Sequence, residues 1–252
     1  MSMSQTYKSM DFILKYDVNS FELELKEAKG ADPFPWYPYG SLSNFYLLDM
    51  LLPNGWSSVQ SSLKGKYLVD IGAADGETSF FLEKRGINVD IVDNPSTNYN
   101  SLRGAARLKA RLGSKVNIHE IDLDSQFVMP RKYDFAFFLG ILYHLKNPYF
   151  VLESLSGKVQ RMVLSTRIAS HDKPGGTCIR SIPAAYLLSP VESNNDSTNY
   201  WTFTEAGIIR LLERTGWDVI HAKSFGSVGL SDPFSPDRDE RFFCFLESRQ
   251  YK

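Results

Sequence analysis

The 252-residue chain has little of what builds disulfide frameworks or zinc modules. Its two cysteines, Cys178 and Cys244, lack metal-type spacing, so a reduced, cytoplasmic protein without a bound metal is expected. It has no excess of either charge: Lys+Arg 28 against Asp+Glu 29 leaves a formal net charge of −1. That balance argues against nonspecific nucleic-acid binding as the main task. No apolar run approaches the ~20 residues that span a bilayer, and the opening MSMSQTYKSM carries no apolar signal core. Internal repeats and long low-complexity tracts are also missing. What is present is 43% hydrophobic and 23% charged. A chain of this length can bury a core as one large domain, or as a domain with an extension.

Through the middle of the chain short apolar runs alternate with helical patterns. KYLVDIG, INVDIVDN, KVNIHEIDL, YDFAFFLGIL and RMVLSTRI read as strands; ETSFFLEKRG, Tyr99 to Leu112, and PYFVLESLSGKV read as helices. The continuous apolar YDFAFFLGIL suits a strand buried on both faces. Thr204 offers an N-cap to EAGIIRLLERTG, and WDVIHAKSFG with RFFCFLES forms a hairpin-like finish. The expected fold is α/β: a Rossmann-like, doubly wound, mostly parallel seven-stranded sheet with an antiparallel last strand, plus an N-terminal arm. Residues 1–56 are expected to be the arm and helices covering a cofactor site, with VNSFELEL an early strand or irregular piece and NFYLLDMLL a helix. Residues 57–252 would form the main domain. Within it 169–203, weakly periodic and long, would be a substrate loop.

In open parallel sheets ligands sit beyond the C-terminal ends of the strands. There the chain reads DIGAADGE. A dinucleotide loop, G-x-G-x-x-G, cradles a pyrophosphate. Here Gly72 and Gly76 flank Ala73, Ala74 and Asp75, and Asp70 ends the strand. Carboxylates at that place repel a pyrophosphate and suit a ligand with a cationic end. Asp93, closing the second strand, is placed to accept ribose hydroxyls, with Asn94 beside it. Asp122 and Leu123 follow the third strand, where an adenine amino group would sit, and Leu139 ends the fourth. Adenosine, ribose and a cationic methionine-like tail together describe S-adenosylmethionine, with S-adenosylhomocysteine as product. Each aspartate is alternatively a turn or cap residue.

VDIGAADG, IVDN, HEIDLD and YDFAFFLGILYHLKNP resemble the motifs of class I S-adenosylmethionine-dependent methyltransferases, over about residues 60 to 250. Within that class LGILYHLKNP and STNYWTFTEAGIIRLLERTGW are similar to the tRNA wobble-uridine 5-oxyacetate methyltransferases, which transfer a carboxymethyl group. That family has a lysine before the glycine of its proline-aromatic segment, matching the extra carboxylate of its donor. Here PWYPYGS places Tyr39 before Gly40, and Lys29 is the nearest lysine upstream. A buried carboxylate without its cation is costly, so ordinary methyl transfer to a small-molecule acceptor is expected. The alternatives are a tRNA-modifying methyl- or carboxymethyltransferase and a non-catalytic cofactor-binding protein.

Methyl transfer from a sulfonium needs alignment and, for a neutral acceptor, a base. Candidates for the chemistry are Tyr143, His144 and Arg167. The resemblance implies a donor contact for Tyr143, whose alternative is packing. His144 is either a base or a backbone-bonded histidine, and Arg167 either an anion contact or a structural ion pair. Tyr39, Tyr143, Arg167, His171, Asn199 and Trp201 are candidates for the acceptor side. Trp36, Tyr37 and Tyr39 read as a lid or as glue for the arm. Arg103, Arg107, Lys109 and Arg111 read as a solvated face or an RNA track.

Overall fold

A computed structural model describes residues 11–31, 33–235 and 237–252; the opening decapeptide with its expected lack of a signal core lies outside them. Nine strands are described, seven in one sheet: β1 Tyr67–Ile71, β2 Asn88–Asp93, β3 Asn117–Glu120, β4 Tyr133–Leu139, β5 Val159–Arg167, β8 Trp217–Gly226 and β9 Glu240–Ser248, ordered β3-β2-β1-β4-β5-β9-β8. The first five run parallel, and β9 inserts antiparallel between β5 and β8. Expectation and structure agree on this sheet.

Two apolar layers sandwich it. Alternating residues of a strand point to opposite faces. Leu68, Ile91, Phe135 and Phe137 therefore join one layer, and Val69, Val92, Ala136 and Phe138 the other. The first layer is covered by α1 Phe12–Lys29, α2 Asn44–Leu51, α3 Gly55–Ser62, α4 Glu77–Glu83 and α5 Arg103–Leu112. The second is covered by α6 Pro148–Ser156 and α7 Glu205–Arg214. Thr204 caps α7 as expected, its Oγ1 accepting from Gly207 N at 3.0 Å. No helix among the described residues is long and apolar enough to cross a membrane.

Three differences from the expected elements have physical causes. VNSFELEL is helical, not a strand: Leu14, Val18, Phe21 and Leu25 fall on one face and are buried, while Leu23, the residue that made the stretch look alternating, is exposed. The basic helix starts at Arg103 rather than Tyr99, because Ser101 and Leu102 have positive φ and Asn98 Oδ1 accepts from the amides of Asn100 and Leu102. The long loop contains β6 Ala185–Leu187, which pairs antiparallel with β7 Trp201–Phe203. The boundary placed between residues 56 and 57 falls within α3.

Candidate active site at the strand ends

The turn after β1 is shaped by three positive-φ residues, Gly72, Ala74 and Gly76. A Cβ on Gly72 would lie 2.0 Å from Ile141 Cδ1, so glycine is required there on two counts. Asp70 is buried and accepts from Ser79 Oγ at 2.7 Å. Burial pushes its carboxyl up to about 7; the Ser79 bond opposes this and the Asp93 charge adds to it. Asp93 is raised too, chiefly by burial. Asn94 N at 2.8 Å and Asn98 Nδ2 at 2.9 Å donate to its two oxygens. The Ala74 backbone also hydrogen-bonds to this carboxylate, so of its about four acceptor positions room for one further donor remains. Asn94 is half-buried, Asp122 is exposed with its Oδ1 accepting from Asp124 N, and Leu123 and Ala73 are buried. Half-buried Leu139 packs at the end of β4.

Asp75 is held by partners within the chain. It is 2% exposed and accepts from Tyr37 N and Asn100 Nδ2, both at 2.7 Å. Gly104 lets α5 approach it, since a Cβ there would lie 2.0 Å from Asp75 Oδ1. Glu77 next door accepts from Lys29 Nζ at 2.6 Å and Ser41 N at 3.2 Å. The acidic turn therefore fastens the arm across the strand ends. The arm is also gripped from α5: Arg107 stacks 4.3 Å from the Phe34 ring, and Arg111 lies 5.8 Å from Trp36. Arg107 and Arg111 stay exposed, as expected of a solvated face, while resting on these aromatics.

Beyond β4, Tyr143 and His144 lie ring to ring at 4.3 Å. His144 Nδ1 lies 3.0 Å from the Thr198 carbonyl oxygen and also 3.0 Å from Thr198 Oγ1. A carbonyl can only accept, which assigns the proton to Nδ1 and leaves Nε2 as the basic nitrogen. Burial holds the imidazole below its ordinary pKa. Tyr200 N donates to the Tyr143 carbonyl and Trp201 Nε1 to that of Leu145, so the end of the long loop is stitched to this segment. Trp201 packs in the second apolar layer.

Arg241 completes the group and was not among the expected residues. Its Nη1 donates to Tyr143 Oη at 3.0 Å and its Nε to Asp239 at 2.7 Å. Burial opposes its charge, but Tyr143 and Asp239 hold its pKa above the ordinary value. Tyr37 stands in the same field; burial, then Tyr143 and Tyr39, raise its pKa. Tyr39 touches Tyr37 edge-on at 5.5 Å but is 71% exposed.

Arg167, opposite Arg241 in register, does not present an open guanidinium. It is buried, and its two NH2 groups donate to Ser193 Oγ and to the carbonyls of Asp232 and Ser235. Burial lowers its pKa. Asn199 is buried beside it, donating to the Ser193 carbonyl. His171 is fixed by its backbone to Ser231, and no described contact joins its ring to the Tyr143 group.

No family model matches the chain. A curated relative, tRNA U34 carboxymethyltransferase of Tolumonas auensis, is 23% identical over 190 residues, 70% of this chain and 54% of the relative. The chain thus spans about half the length of that relative. Among solved structures, the N-terminal domain of EvdMO1, determined in the presence of S-adenosylhomocysteine and D-fucose, matches with TM-score 0.55 at 12% identity over 95% of this chain and 98% of that one. The PH0226 protein of Pyrococcus horikoshii OT3 matches with TM-score 0.55 at 12% identity over 89% and 99%. Magnesium protoporphyrin IX methyltransferase of Synechocystis PCC 6803, with bound S-adenosylmethionine, matches with TM-score 0.50 at 14% identity over 96% and 86%. With its strand order, its glycine turn after β1 and these neighbours, the chain has the class I S-adenosylmethionine-dependent methyltransferase fold and a distant resemblance within it to tRNA U34 carboxymethyltransferase.

Proposed function

We propose that this chain is an S-adenosylmethionine-dependent methyltransferase with a small-molecule acceptor. The observation that carries the reading is the pair Asp70 and Asp93, at the ends of adjacent strands beside the Gly72–Gly76 turn, with acceptor capacity left on Asp93. In this reading Asp93 holds a ribose hydroxyl, and Asp70 and the turn face the cationic end. Bound S-adenosylmethionine would supply a methyl group already activated by its sulfonium. The protein then has to align an acceptor and remove a proton. His144 has the attributes for that removal: a fixed tautomer, a free Nε2, and a pKa low enough to stay neutral near pH 7.

The name of the curated relative raises carboxymethyl transfer to tRNA as the alternative. An extra donor carboxylate would need a cation. Lys29 is paired with Glu77, and Arg241 with Asp239. Both pairings support a plain methyl donor, and the net charge of −1 weighs against tRNA. The D-fucose present with the EvdMO1 domain agrees with a small acceptor. Calorimetry with S-adenosylmethionine and S-adenosylhomocysteine tests the cofactor. Label from a methyl-tritiated donor entering a metabolite extract supports the reading; label entering bulk tRNA instead would favour the alternative. Turnover by a folded His144→Ala variant is expected to fall by about 10²–10⁴ if His144 is the base. Binding with no turnover of any acceptor would leave a cofactor-binding protein.

A further inference from the structure

His144 Nδ1 meets both oxygens that Thr198 offers, the carbonyl and the hydroxyl, each at 3.0 Å. The hydroxyl leads on to a carboxylate. Thr198 Oγ1 donates to Asp196 Oδ1 at 2.7 Å, and the Thr198 amide donates to the same oxygen at 2.9 Å. A hydroxyl has one proton. With that proton given to Asp196, Oγ1 turns a lone pair to Nδ1, and the ring nitrogen is the donor. Asp196 thus sets the rotor of Thr198, which favours the same tautomer as the carbonyl does. These two bonds put Asp196 Oδ1 within about 6 Å of Nδ1, close enough for its charge to favour a protonated ring.

The backbone bringing Asp196 there is strained. Ser193, Asn194 and Asn195, the three residues before it, all have positive φ, which non-glycine residues adopt seldom and asparagine least reluctantly. Such conformations persist where neighbours over-determine them. Here Arg167 Nη1 donates to Ser193 Oγ at 2.9 Å, and Tyr200 N to the Tyr143 carbonyl at 2.8 Å. A plain Asx turn would also bond Asp196 to the Thr198 amide. It would not need the Thr198 hydroxyl, nor set that hydroxyl on a histidine. The charged and titratable groups facing His144 are Asp196 from this segment, Arg241 from β9, and Tyr143 beside it. Burial lowers the imidazole pKa most and Arg241 lowers it further, while Thr198 and Asp196 oppose both. Burial opposes the charge of Asp196 as well, but the Thr198 hydroxyl and amide, and His144, hold its pKa below the ordinary value.

We propose that Asp196, acting through the Thr198 hydroxyl, is the positioning residue of His144: it holds the proton on Nδ1, keeps Nε2 as the basic nitrogen, and balances the charge when the ring takes up a second proton. In the transfer the acceptor's proton passes to Nε2 while Nδ1 keeps its own. The half-buried ring becomes a cation that Arg241 repels, and the Asp196 carboxylate is the anion that offsets it. This deepens, and rests on, the reading of His144 as the base.

The test follows the whole chain, labelled at histidine, by long-range proton–nitrogen correlation spectra across pH, with His144→Gln assigning one signal among the four histidines. The neutral wild-type ring is expected to carry its proton on Nδ1. Both Thr198 donors go to one oxygen of Asp196, which Asp196→Asn keeps while removing the charge. The proton affinity of His144 is expected to fall about tenfold in that variant. Thr198→Val, which cuts the link, should lower it too, and Thr198→Ser should keep the wild-type value. The reaction reads the same group: the acidic limb of tritium transfer from a methyl-labelled donor into a metabolite extract should move to lower pH in Asp196→Asn by the same factor. A turn residue with only a structural role would leave both in place. A wild-type proton on Nε2, or unchanged proton affinity of His144 in folded Asp196→Asn, overturns the proposal. A shifted affinity with an unmoved acidic limb would instead keep the positioning role and remove His144 as the base.

Discussion

Replacing Asp75 by asparagine separates an arm-fastening role from a ligand-binding one. The side chain keeps its shape and loses one acceptor. In the native site Oδ1 takes Asn100 Nδ2 and Oδ2 takes Tyr37 N, each at 2.7 Å, and the group is 2% exposed. An asparagine has one oxygen for these two donors, so in either flip an NH2 faces an N–H. Hydrogen bonds to a charged group are worth ~1.5–3 kcal/mol, and the stranded donor adds its desolvation. The arm should therefore close less tightly by about 2–4 kcal/mol, or roughly 30- to 1,000-fold in its opening equilibrium. Amide hydrogen exchange reads this residue by residue. Tyr37 N–H is expected to exchange faster by that factor, whereas Trp56 N–H, which is bonded to Asp49 at 2.8 Å, should hold its rate. Unchanged protection of Tyr37 in a folded D75N protein would refute the latch.

Three further outcomes are expected. Asp70 keeps its proton to about pH 7 in the fold but loses it near 3.8 when unfolded. The native state thus binds more protons in that window; the group's stabilisation is full below it, falls as pH rises, and is gone above about 7. Asp70→Asn should remove that slope, of up to about 4 kcal/mol, from urea titrations run across the window; parallel wild-type and variant profiles would count against it. Gly72→Ala meets both left-handed backbone and Ile141, so a loss of about 2–4 kcal/mol is expected. In thermal melts this is roughly 5–15 °C, and adding Ile141→Ala should recover the steric part; no recovery means the clash is not the cause. Glu240, with 0% exposure, holds Arg180 at 2.9 Å and accepts from Ser170, Ser231 and the Gly229 amide. Glu240→Ala should destabilise by about 3–5 kcal/mol and open residues 170–182 to protease; resistance equal to wild type would contradict a clamp.

Much of the fold was legible because its signals are local. The apolar run of β4, the capping threonine of α7 and the glycine turn after β1 each declare themselves within a few residues. The α1 helix did not, because the alternating Phe-Glu-Leu-Glu-Leu of residues 21–25 conceals a spacing that only the stretch from Leu14 to Leu25 reveals. Site geometry was legible where a strand end fixed it: Asp70 and Asp93 lie side by side at the ends of β1 and β2. It failed where the partner comes from far along the chain. Asp75 meets Tyr37 from 38 positions away and Tyr143 meets Arg241 from 98. The signal for Arg241 was present in the antiparallel assignment itself, since the first residues of such a strand lie at the last residues of its parallel neighbours.

The insertion of β9 also fixes when the site can exist. During synthesis β1 to β5 can pair as they emerge, but β8 contacts the rest of the sheet only through β9. A nascent chain stopped after β8 holds two open sheet edges and lacks the arginine that reaches Tyr143. Long-range pairing of this kind is slow to form and exposes edges meanwhile. The Gly72–Gly76 turn is thus assembled early and the Tyr143–Arg241 contact last, so the two halves of the strand-end group form at different stages of synthesis.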